Sequence, residues 1–200
     1  MTTGAASADA RLARIAQAVQ GRAPFVAERD EPYFEAAVAL VLRTTPDGVI
    51  ELLFIKRATR DDDPWSGQIA LPGGRYDPDD ESLEATAVRE TFEEVSIDLR
   101  RDGAVIGQLD EIRPRIPQLP PVIVRPYVAT VGAHAEVMPS DEVAEMFWAP
   151  LDLILAPESQ RETEMIVREF TVRRRAIHYR GHIIWGMTEA ILRQFEAIIS

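Results

Sequence analysis

The sequence predicts an α/β protein in which helices cover both faces of a central sheet, an α/β/α sandwich. Several short apolar runs have the composition of strands, a turn-forming sequence joins two of them, and two longer segments have helical apolar spacing. A sheet flanked by helices buries both of its faces. The length of 200 residues suits one domain with a sizeable core. We divide the chain into an N-terminal helical extension with its linker, residues 1–30, and a principal domain, residues 31–200.

The extension predicts one short helix. Residues 1–8 are small and polar, and we expect them to be mobile. Residues 10–19 place their apolar side chains on one side, with Asp9 as the candidate N-cap and Gly21 as the stop. Residues 24–32, bounded by two prolines, have the character of a linker.

A β-hairpin opens the principal domain. Residues 34–43 and 49–56 are apolar runs, and the turn-forming sequence Thr45-Pro46-Asp47-Gly48 joins them. A charged loop follows, and a short strand at residues 68–71 then leads into a glycine pair, Gly73-Gly74.

The next segment predicts a helix with one buried face. Asp80 or Ser82 can cap its N-terminus, because both side chains accept hydrogen bonds from free backbone N–H groups. Apolar and small residues then recur at three- and four-residue spacing. The residues of this buried arc are Ala87, Val88, Thr91 and Val95.

The rest of the chain predicts further strands and a C-terminal helix. The segments are strands at 104–110 and 122–131 around a proline-rich stretch at 113–121, a short apolar run at 143–149, one helical turn near Asp152, a hairpin at 164–172 and 175–179, and an amphipathic helix at 186–199.

Three acidic residues crowd the central helix beside its buried arc. Glu90 and Glu94 are four residues apart, a like-charge pair that costs about 0.2–0.5 kcal/mol, and Glu93 lies next to them. A divalent cation such as Mg²⁺ or Mn²⁺ would remove this repulsion, because hard ions take carboxylate oxygens. The alternative is a solvated acidic face. The position beside the buried arc, close to the Gly73-Gly74 turn, favours the metal interpretation.

These residues carry a resemblance to a known family. Residues 73–97 resemble the Nudix hydrolase box, G-x5-E-x7-R-E-U-x-E-E-x-G-U, where U is aliphatic. Glu81 and Arg89 have the expected spacing, and residues 89–94 supply the R-E-U-x-E-E core. The sequence departs from the pattern by one extra residue after Gly74, by a threonine at the aliphatic position of the core and by Ser96 in place of the final glycine.

The resemblance implies the same sandwich with a mixed central sheet, and a metal-dependent diphosphate hydrolysis. Its metal ligands would be Glu90, Glu93, Glu94 and a backbone carbonyl of the glycine turn at Gly74, with Mg²⁺ or Mn²⁺ bound. Arg89 would orient Glu93 or Glu81. One of the box glutamates can instead act as the base, and Glu142, in a predicted loop, is a second candidate.

Residues outside the box resemble coenzyme A diphosphatases. The matching segments are residues 53–58, 67–74, 141–150 and 184–188, so that the resemblance covers most of residues 34–195. Asp63 stands where that group has a second arginine. Arg57, Arg60 or Arg75 would have to bind the substrate phosphates in its place, and the alternative for Arg57 and Arg60 is ordinary exposed loop charge. Trp65 is a candidate to stack on a base, and the alternative is an aromatic side chain that anchors the loop.

Composition narrows the class of partner. The net charge of −11 argues against a nucleic-acid binder, and no apolar run approaches the roughly 20 residues that cross a membrane. The first ten residues lack the features of a signal peptide, and the chain has no cysteine, so we expect a cytoplasmic protein. The expected partner is a small-molecule nucleotide, and a homodimer is left open.

Three readings of the function follow from the resemblance. Coenzyme A or acyl-coenzyme A, cut to 3′,5′-ADP and 4′-phosphopantetheine, is the leading substrate. A second reading is another nucleotide, such as ADP-ribose, NADH or a dinucleoside polyphosphate. A third is a module that binds a nucleotide or a partner without hydrolysis. The complete set of Glu90, Glu93 and Glu94 argues against the third.

Overall fold

The computed structural model describes residues 3–30, 32–60, 65–114, 121–167 and 170–200. Its helices and strands are α1 (Thr3–Gln20), β1 (Phe34–Thr44), β2 (Ile50–Arg57), β3 (Ile69–Ala70), β4 (Gly73–Arg75), α2 (Leu83–Val95), β5 (Gly103–Gln108), β6 (Val122–Val131), β7 (Val143–Pro150), α3 (Leu151–Leu155), β8 (Gln160–Val167), β9 (Phe170–Tyr179), β10 (His182–Trp185) and α4 (Gly186–Ile199). None of the described helices is long and apolar enough to cross a membrane.

The central sheet has seven strands and is mixed. Its main path runs β3-β2-β1-β6-β5, and β7 pairs with β2. β1 and β6 are parallel over their whole length, while the other pairs are antiparallel. A second sheet, β10-β9-β8, is antiparallel and has three strands.

Along one of its edges, strand β1 pairs with two different strands. Leu42 to Thr44 pair with β2, whereas Ala36 to Val38 pair with β4. Between them, the Ala39 N–H donates to the Pro72 carbonyl at 2.8 Å. Strands β3 and β4 therefore form a wedge between β1 and β2, and this wedge places the glycine pair inside the sheet.

The two faces of the sheet belong to different cores. Alternate β1 residues, Leu40 and Leu42, share a buried cluster with α1, α4 and the second sheet. The intervening residues, Ala39 and Val41, pack in a cluster with Leu83, Ala87 and Val95 of α2. Helices thus cover both faces, and the predicted α/β/α sandwich with a mixed sheet is confirmed.

Several predicted elements are confirmed with small changes in their bounds. The β1–β2 hairpin forms around a turn in which Gly48 has a φ of 82°. β6 and α4 have the predicted bounds, and a short helix, α3, forms near Asp152.

Other predictions were wrong. Helix α1 begins at Thr3, so Asp9 lies inside the helix and does not cap it, and residues 3–8 are helical. The late hairpin has a different register, because β8 ends at Val167 and β9 begins at Phe170, and β10 adds a third strand. Most of the proline-rich stretch, residues 115–120, lies outside the described residues.

The linker-like segment is tied to the edge of the sheet. Glu111, whose side chain is fully buried, accepts hydrogen bonds from the Ala27 N–H and from Arg29 and Arg125. Burial alone would raise the pKa of Glu111, but the two guanidinium groups outweigh it and lower this pKa to about 2. Arg29 also bonds Glu35 at 3.0 Å, so the segment is anchored to β1.

Candidate active site

Helix α2 carries the acidic cluster and is held firmly at both ends. The Ser82 side chain accepts the Ala85 N–H at 3.1 Å, which makes Ser82 the N-cap. The helix ends at Ser96, which has left-handed dihedral angles of φ 60° and ψ 19° and donates its N–H to the Phe92 carbonyl. Ser96 occupies the αL position that commonly ends a helix, where glycine is the usual residue.

The glycine pair is pressed against the acids of α2. The Gly73 N–H donates to Glu94 Oε2 at 2.8 Å. A Cβ at Gly74 would lie 2.5 Å from both carboxylate oxygens of Glu90. A Cβ at Gly73, whose φ is +151°, would overlap the backbone of Ala37 and Val38. Only glycine allows this strand to approach the helix so closely.

Glu94 is a buried carboxyl group with few neighbours of opposite charge. It is 2% exposed, and its nearest guanidinium, that of Arg57, lies 3.7 Å away. Burial raises the pKa of Glu94 to about 8, although the Gly73 N–H and Arg57 oppose the rise. Burial also raises the pKa of Glu90, against the effect of Arg89.

Arg57 reaches the cluster from the end of β2. The pairing of β2 with β7 shifts register between Lys56 and Arg57, an irregularity of the kind that redirects a side chain near functional sites.

Arg89 connects the acids of the helix to the preceding loop. Its guanidinium donates to Glu90 Oε1 at 2.8 Å, to Glu93 Oε2 at 2.9 Å and to the Arg75 carbonyl at 3.2 Å. It also forms two hydrogen bonds to Asp80, at 2.9 and 3.0 Å. The bond from Arg89 lowers the pKa of Asp80 to about 2. Arg89 therefore pairs with Glu93, whereas Glu81 is exposed and Asp80 takes the loop contact.

Sequence reasoning offered Asp80 only as an alternative helix cap and missed this contact. The signal in the sequence is weak, because Asp80 and Arg89 are nine residues apart and meet only after the loop folds back. The Asp80 N–H donates to the Asp77 carbonyl at 2.9 Å, and Thr86 Oγ1 donates to Asp80 at 2.8 Å, so that the loop is held against the helix.

Glu142 lies in the turn before β7, close to the acids. Its negative charge raises the pKa of both Glu90 and Glu94. The turn is docked on the end of α2 and on the strand that carries Arg57, because the Ser140 N–H donates to the Glu94 carbonyl and the Ala58 N–H to the Glu142 carbonyl. Arg60 bonds the exposed Glu142 carboxylate at 3.1 Å.

A cavity of about 540 Å³ opens beside the glycine pair on the opposite face of the sheet from α2. Three of the predicted substrate-binding residues, Arg57, Trp65 and Arg75, line it, while Arg60 does not. The Arg75 guanidinium stacks on the Phe34 ring at 4.7 Å. Asp63, at the position of the second family arginine, lies outside the described residues.

The acids can be compared with what a divalent ion requires. Among the described residues, no three His, Cys, Asp or Glu side chains are arranged to hold a metal ion. Glu93 is exposed and bonded to Arg89, whereas Glu90 and Glu94 converge on the glycine pair. Their carboxylate oxygens and the close approach of the Gly74 backbone fit a hard cation. Glu90, Glu94 and the Gly74 backbone thus offer oxygen donors of the type that a hard cation prefers, whereas Glu93 is held apart from them by Arg89.

Comparison with known proteins gives a consistent picture. The family described as the NUDIX domain matches residues 33–170. A Nudix hydrolase of Pectobacterium atrosepticum, NudL, is 32% identical over 164 residues, which are 82% of this chain and 80% of that protein. A protein of Schizosaccharomyces pombe is 40% identical over 118 residues, and the chain spans only 36% of its length.

Solved structures share the fold at low sequence identity. A MutT/nudix family protein from Enterococcus faecalis aligns with a TM-score of 0.58 and 17% identity, covering 100% of this chain and 75% of that one. The Ap4A hydrolase of C. elegans, solved as a binary complex, aligns with a TM-score of 0.56 and 18% identity, covering 83% of this chain and 97% of that one. This likeness concerns the fold.

Proposed function

The chain belongs to the NUDIX family and is a hydrolase of diphosphate bonds in nucleotide derivatives, and on that premise we propose that its substrate is coenzyme A or an acyl-coenzyme A. Water attacks one phosphorus and the bridging P–O bond breaks. The products from coenzyme A are 3′,5′-ADP and 4′-phosphopantetheine, and those from an acyl-coenzyme A are 3′,5′-ADP and the S-acyl form of 4′-phosphopantetheine. The resemblance of residues 53–58, 67–74, 141–150 and 184–188 to coenzyme A diphosphatases supports this substrate.

The observation that carries the catalytic proposal is the burial of two carboxyl groups against a glycine turn. Glu94 and Glu90 lie where water is largely excluded, and Gly74 leaves no room for a side chain between strand and helix. Carboxylates in such surroundings need a cation. We assign Glu90, Glu93, Glu94 and the Gly74 carbonyl as the ligands of Mg²⁺ or Mn²⁺.

Other residues of the chain have separate roles in the proposed reaction. When bound, the divalent ion neutralises phosphate oxygens and lowers the pKa of water. Arg89 positions Glu90 through its hydrogen bond, and it also holds Glu93, which would exchange Arg89 for the ion. Arg57 and Arg75, at the rim of the cavity, bind the phosphates, and Trp65 contacts the organic part of the substrate.

Glu142 is the candidate general base of the proposal. It is exposed and lies within the electrostatic reach of Glu90 and Glu94, so a water between these groups could pass it a proton. Its bond to Arg60 assigns Arg60 a positioning role. In addition, the lack of cysteine supports a cytoplasmic location as part of the proposal.

The test is a panel of diphosphates with Mg²⁺ and with Mn²⁺, products being identified by mass. The panel contains coenzyme A, octanoyl-coenzyme A, ADP-ribose, NADH and diadenosine tetraphosphate. We expect coenzyme A or its ester to have the highest kcat/KM. Replacement Glu94→Gln should lower that value by at least about 100-fold, because it removes a charged metal ligand.

The matched control is Glu84→Gln. Glu84 lies on the same helix but is exposed and remote from the glycine pair, so this variant should retain wild-type kcat/KM. Full activity of Glu94→Gln would contradict the metal assignment. Preferred hydrolysis of ADP-ribose or NADH would contradict the substrate, and no turnover of any diphosphate would favour a binding module.

A further inference from the structure

The cavity beside the glycine pair has mainly aliphatic walls. It lies between the central sheet and the first turns of α4, and its apolar lining comes from four separate elements of the fold. Those residues are Ala36 and Val38 of β1, Ile69 of β3, Val122 and Val124 of β6, and Met187 and Ile191 of α4. The rings of Phe34 and Trp65 add aromatic surface. Gln68 and Thr188 are uncharged polar members of the lining, and the Thr188 hydroxyl already donates to the Ile69 carbonyl at 3.2 Å.

The cavity and the acidic cluster share one wall. Gly73 and Gly74 line the cavity on one side, and on the other they contact Glu94 and Glu90. Arg57 also belongs to both, because it lines the cavity and lies 3.7 Å from Glu94. A substrate group inside the cavity would therefore lie next to the glycine pair, which also borders the acids.

Two arginines, Arg57 and Arg75, line the cavity. Among the described residues, no carboxylate lies within ion-pair distance of Arg75, and its guanidinium stacks on Phe34. In a chain with a net charge of −11, such a guanidinium is suited to an anionic ligand. The arginines thus suit phosphate, and the apolar walls suit hydrocarbon.

We propose that the cavity receives an alkyl group esterified directly to the diphosphate, and that it selects substrates whose non-nucleoside part is apolar next to the phosphate. This inference rests on the proposed diphosphate hydrolysis and names the class of substrate that it favours. A sugar or a purine that enters the cavity would lose the water molecules bound to several of its polar atoms. The apolar side chains of the walls cannot replace those hydrogen bonds. An alkyl chain has no such cost.

The test uses synthetic β-alkyl esters of ADP with methyl, butyl and hexyl groups, and ADP-ribose as the polar counterpart. Each methylene that enters the cavity should raise kcat/KM by about fourfold, from the transfer energy of a buried methylene. We expect the hexyl-to-methyl ratio of kcat/KM to exceed about 100 and ADP-ribose to rank below the butyl ester. A ratio near 1 would overturn the inference.

Substitutions in the cavity wall test whether the dependence of kcat/KM on alkyl length arises there. Met187→Trp fills the cavity and should bring the hexyl-to-methyl ratio close to 1. Val124→Thr puts a hydroxyl in its wall at nearly constant volume and should lower the ratio by about tenfold. The matched control is Val128→Thr, on the same strand and the same face but outside the cavity, which should keep the wild-type ratio. An equal fall in Val128→Thr would overturn the assignment to this cavity.

A binding measurement separates the inference from hydrolysis. Hexyl phosphate and methyl phosphate are titrated calorimetrically into the protein without added metal. Tighter binding of hexyl phosphate, with a more negative heat-capacity change, supports the cavity even if no ester is hydrolysed, a result that would overturn only the proposed function. Equal binding of the two phosphates, with all esters hydrolysed at one rate, would overturn only the cavity assignment.

Discussion

The pKa of each carboxyl group at the site depends on the groups that surround it. Glu94 is buried with only the Gly73 N–H at bonding distance and Arg57 at 3.7 Å, and its pKa is raised to about 8. Asp80 bonds the same guanidinium as Glu90 and has a pKa lowered to about 2. Residues of one chemical type therefore divide into an acid whose charged form arginine stabilises and an acid whose charged form burial disfavours.

The two glycines should respond differently to the same substitution. A Cβ at Gly74 meets the flexible end of Glu90, so Gly74→Ala should lower kcat/KM by at least about tenfold while changing the free energy of unfolding by less than about 1 kcal/mol. A Cβ at Gly73 meets the backbone of β1, so Gly73→Ala should cost about 2–4 kcal/mol of stability. Urea denaturation and steady-state kinetics measure both quantities, and a similar loss of stability in the two variants would contradict this distinction.

Ser96 should be a site of stored strain. Its φ of 60° is the left-handed conformation, which disfavours a residue with a Cβ. Ser96→Gly removes that strain but also the hydrogen bond from Ser96 Oγ to the Met138 carbonyl, at 3.2 Å. We expect a net gain of about 0.5–1 kcal/mol in the free energy of unfolding, measured by chemical denaturation. A loss of stability would show that the side-chain bond matters more than the backbone conformation.

At the scale of elements, the site depends on how α2 is tied to its neighbours. The loop before the helix is joined to it by Asp80, and the turn before β7 is docked on its end through the Glu94 carbonyl. The segment before β1 is held against the sheet by Glu111, which forms ion pairs with Arg29 and Arg125. Polar contacts between distant segments therefore set the positions of the loops, while apolar packing sets those of the helices and strands.

Glu111 should make stability depend on acid pH. Its folded pKa of about 2 lies below the ordinary value of 4.5, so its contribution is fully present above pH 4.5 and is lost as the pH falls towards 2. Glu111→Gln should cost about 2–3 kcal/mol at pH 7, because it leaves two guanidinium groups without their counter-charge. The difference between wild type and variant, measured by urea denaturation at pH 7, 5 and 3, should shrink at the lowest pH. A constant difference would contradict the assigned pKa.

Elements with a long regular pattern could be predicted from the sequence. Helix α4 and strand β6 have the predicted bounds, and α2 follows its buried arc and its Ser82 cap. In each case the apolar spacing extends over many residues and agrees with the flanking signals. The position of Glu142 in a loop before an apolar strand could also be anticipated.

Features that depend on tertiary contacts could not be predicted. Strand β4, Gly73–Arg75, has no strand composition and exists because it fills the gap beside β1. The sequence has no glycine or proline between the end of β8 and the start of β9, so no local signal marks where the two strands separate, and the predicted hairpin was out of register. The meeting of Asp80 with Arg89, and of Arg29 and Arg125 with Glu111, joins residues that no local pattern relates.

In the molecule as a whole, the N-terminal extension contributes to the main core. Ile15 and Val19 of α1 are buried in the cluster that also contains Leu192 and Phe195 of α4. We propose that residues 31–200 are the principal domain and that residues 1–30 stabilise it by covering this face of the sheet. The helix then acts on the site only indirectly, through the sheet and α4.

Replacement of Ile15 should measure this contribution. Ile15→Ala should lower the free energy of unfolding by about 2–4 kcal/mol, because it leaves a cavity between α1 and the sheet. Arg14→Ala, at the adjacent exposed position, is the control and should change it by less than about 0.5 kcal/mol. Thermal and urea denaturation of both variants give the comparison, and equal effects would show that α1 does not belong to the core.

The wedge formed by β3 and β4 bears on how fast a ligand can bind at the site. Its backbone is bonded into the interior of the sheet, because the Pro72 carbonyl accepts the Ala39 N–H and Gly73 to Arg75 pair with Ala36 to Val38, so we expect the wedge to open only when β1 itself separates. The glycine turn should therefore be as long-lived as the centre of the protein. A ligand would then meet a surface whose conformational freedom was already lost during folding, and we expect no rearrangement of that turn to slow its association.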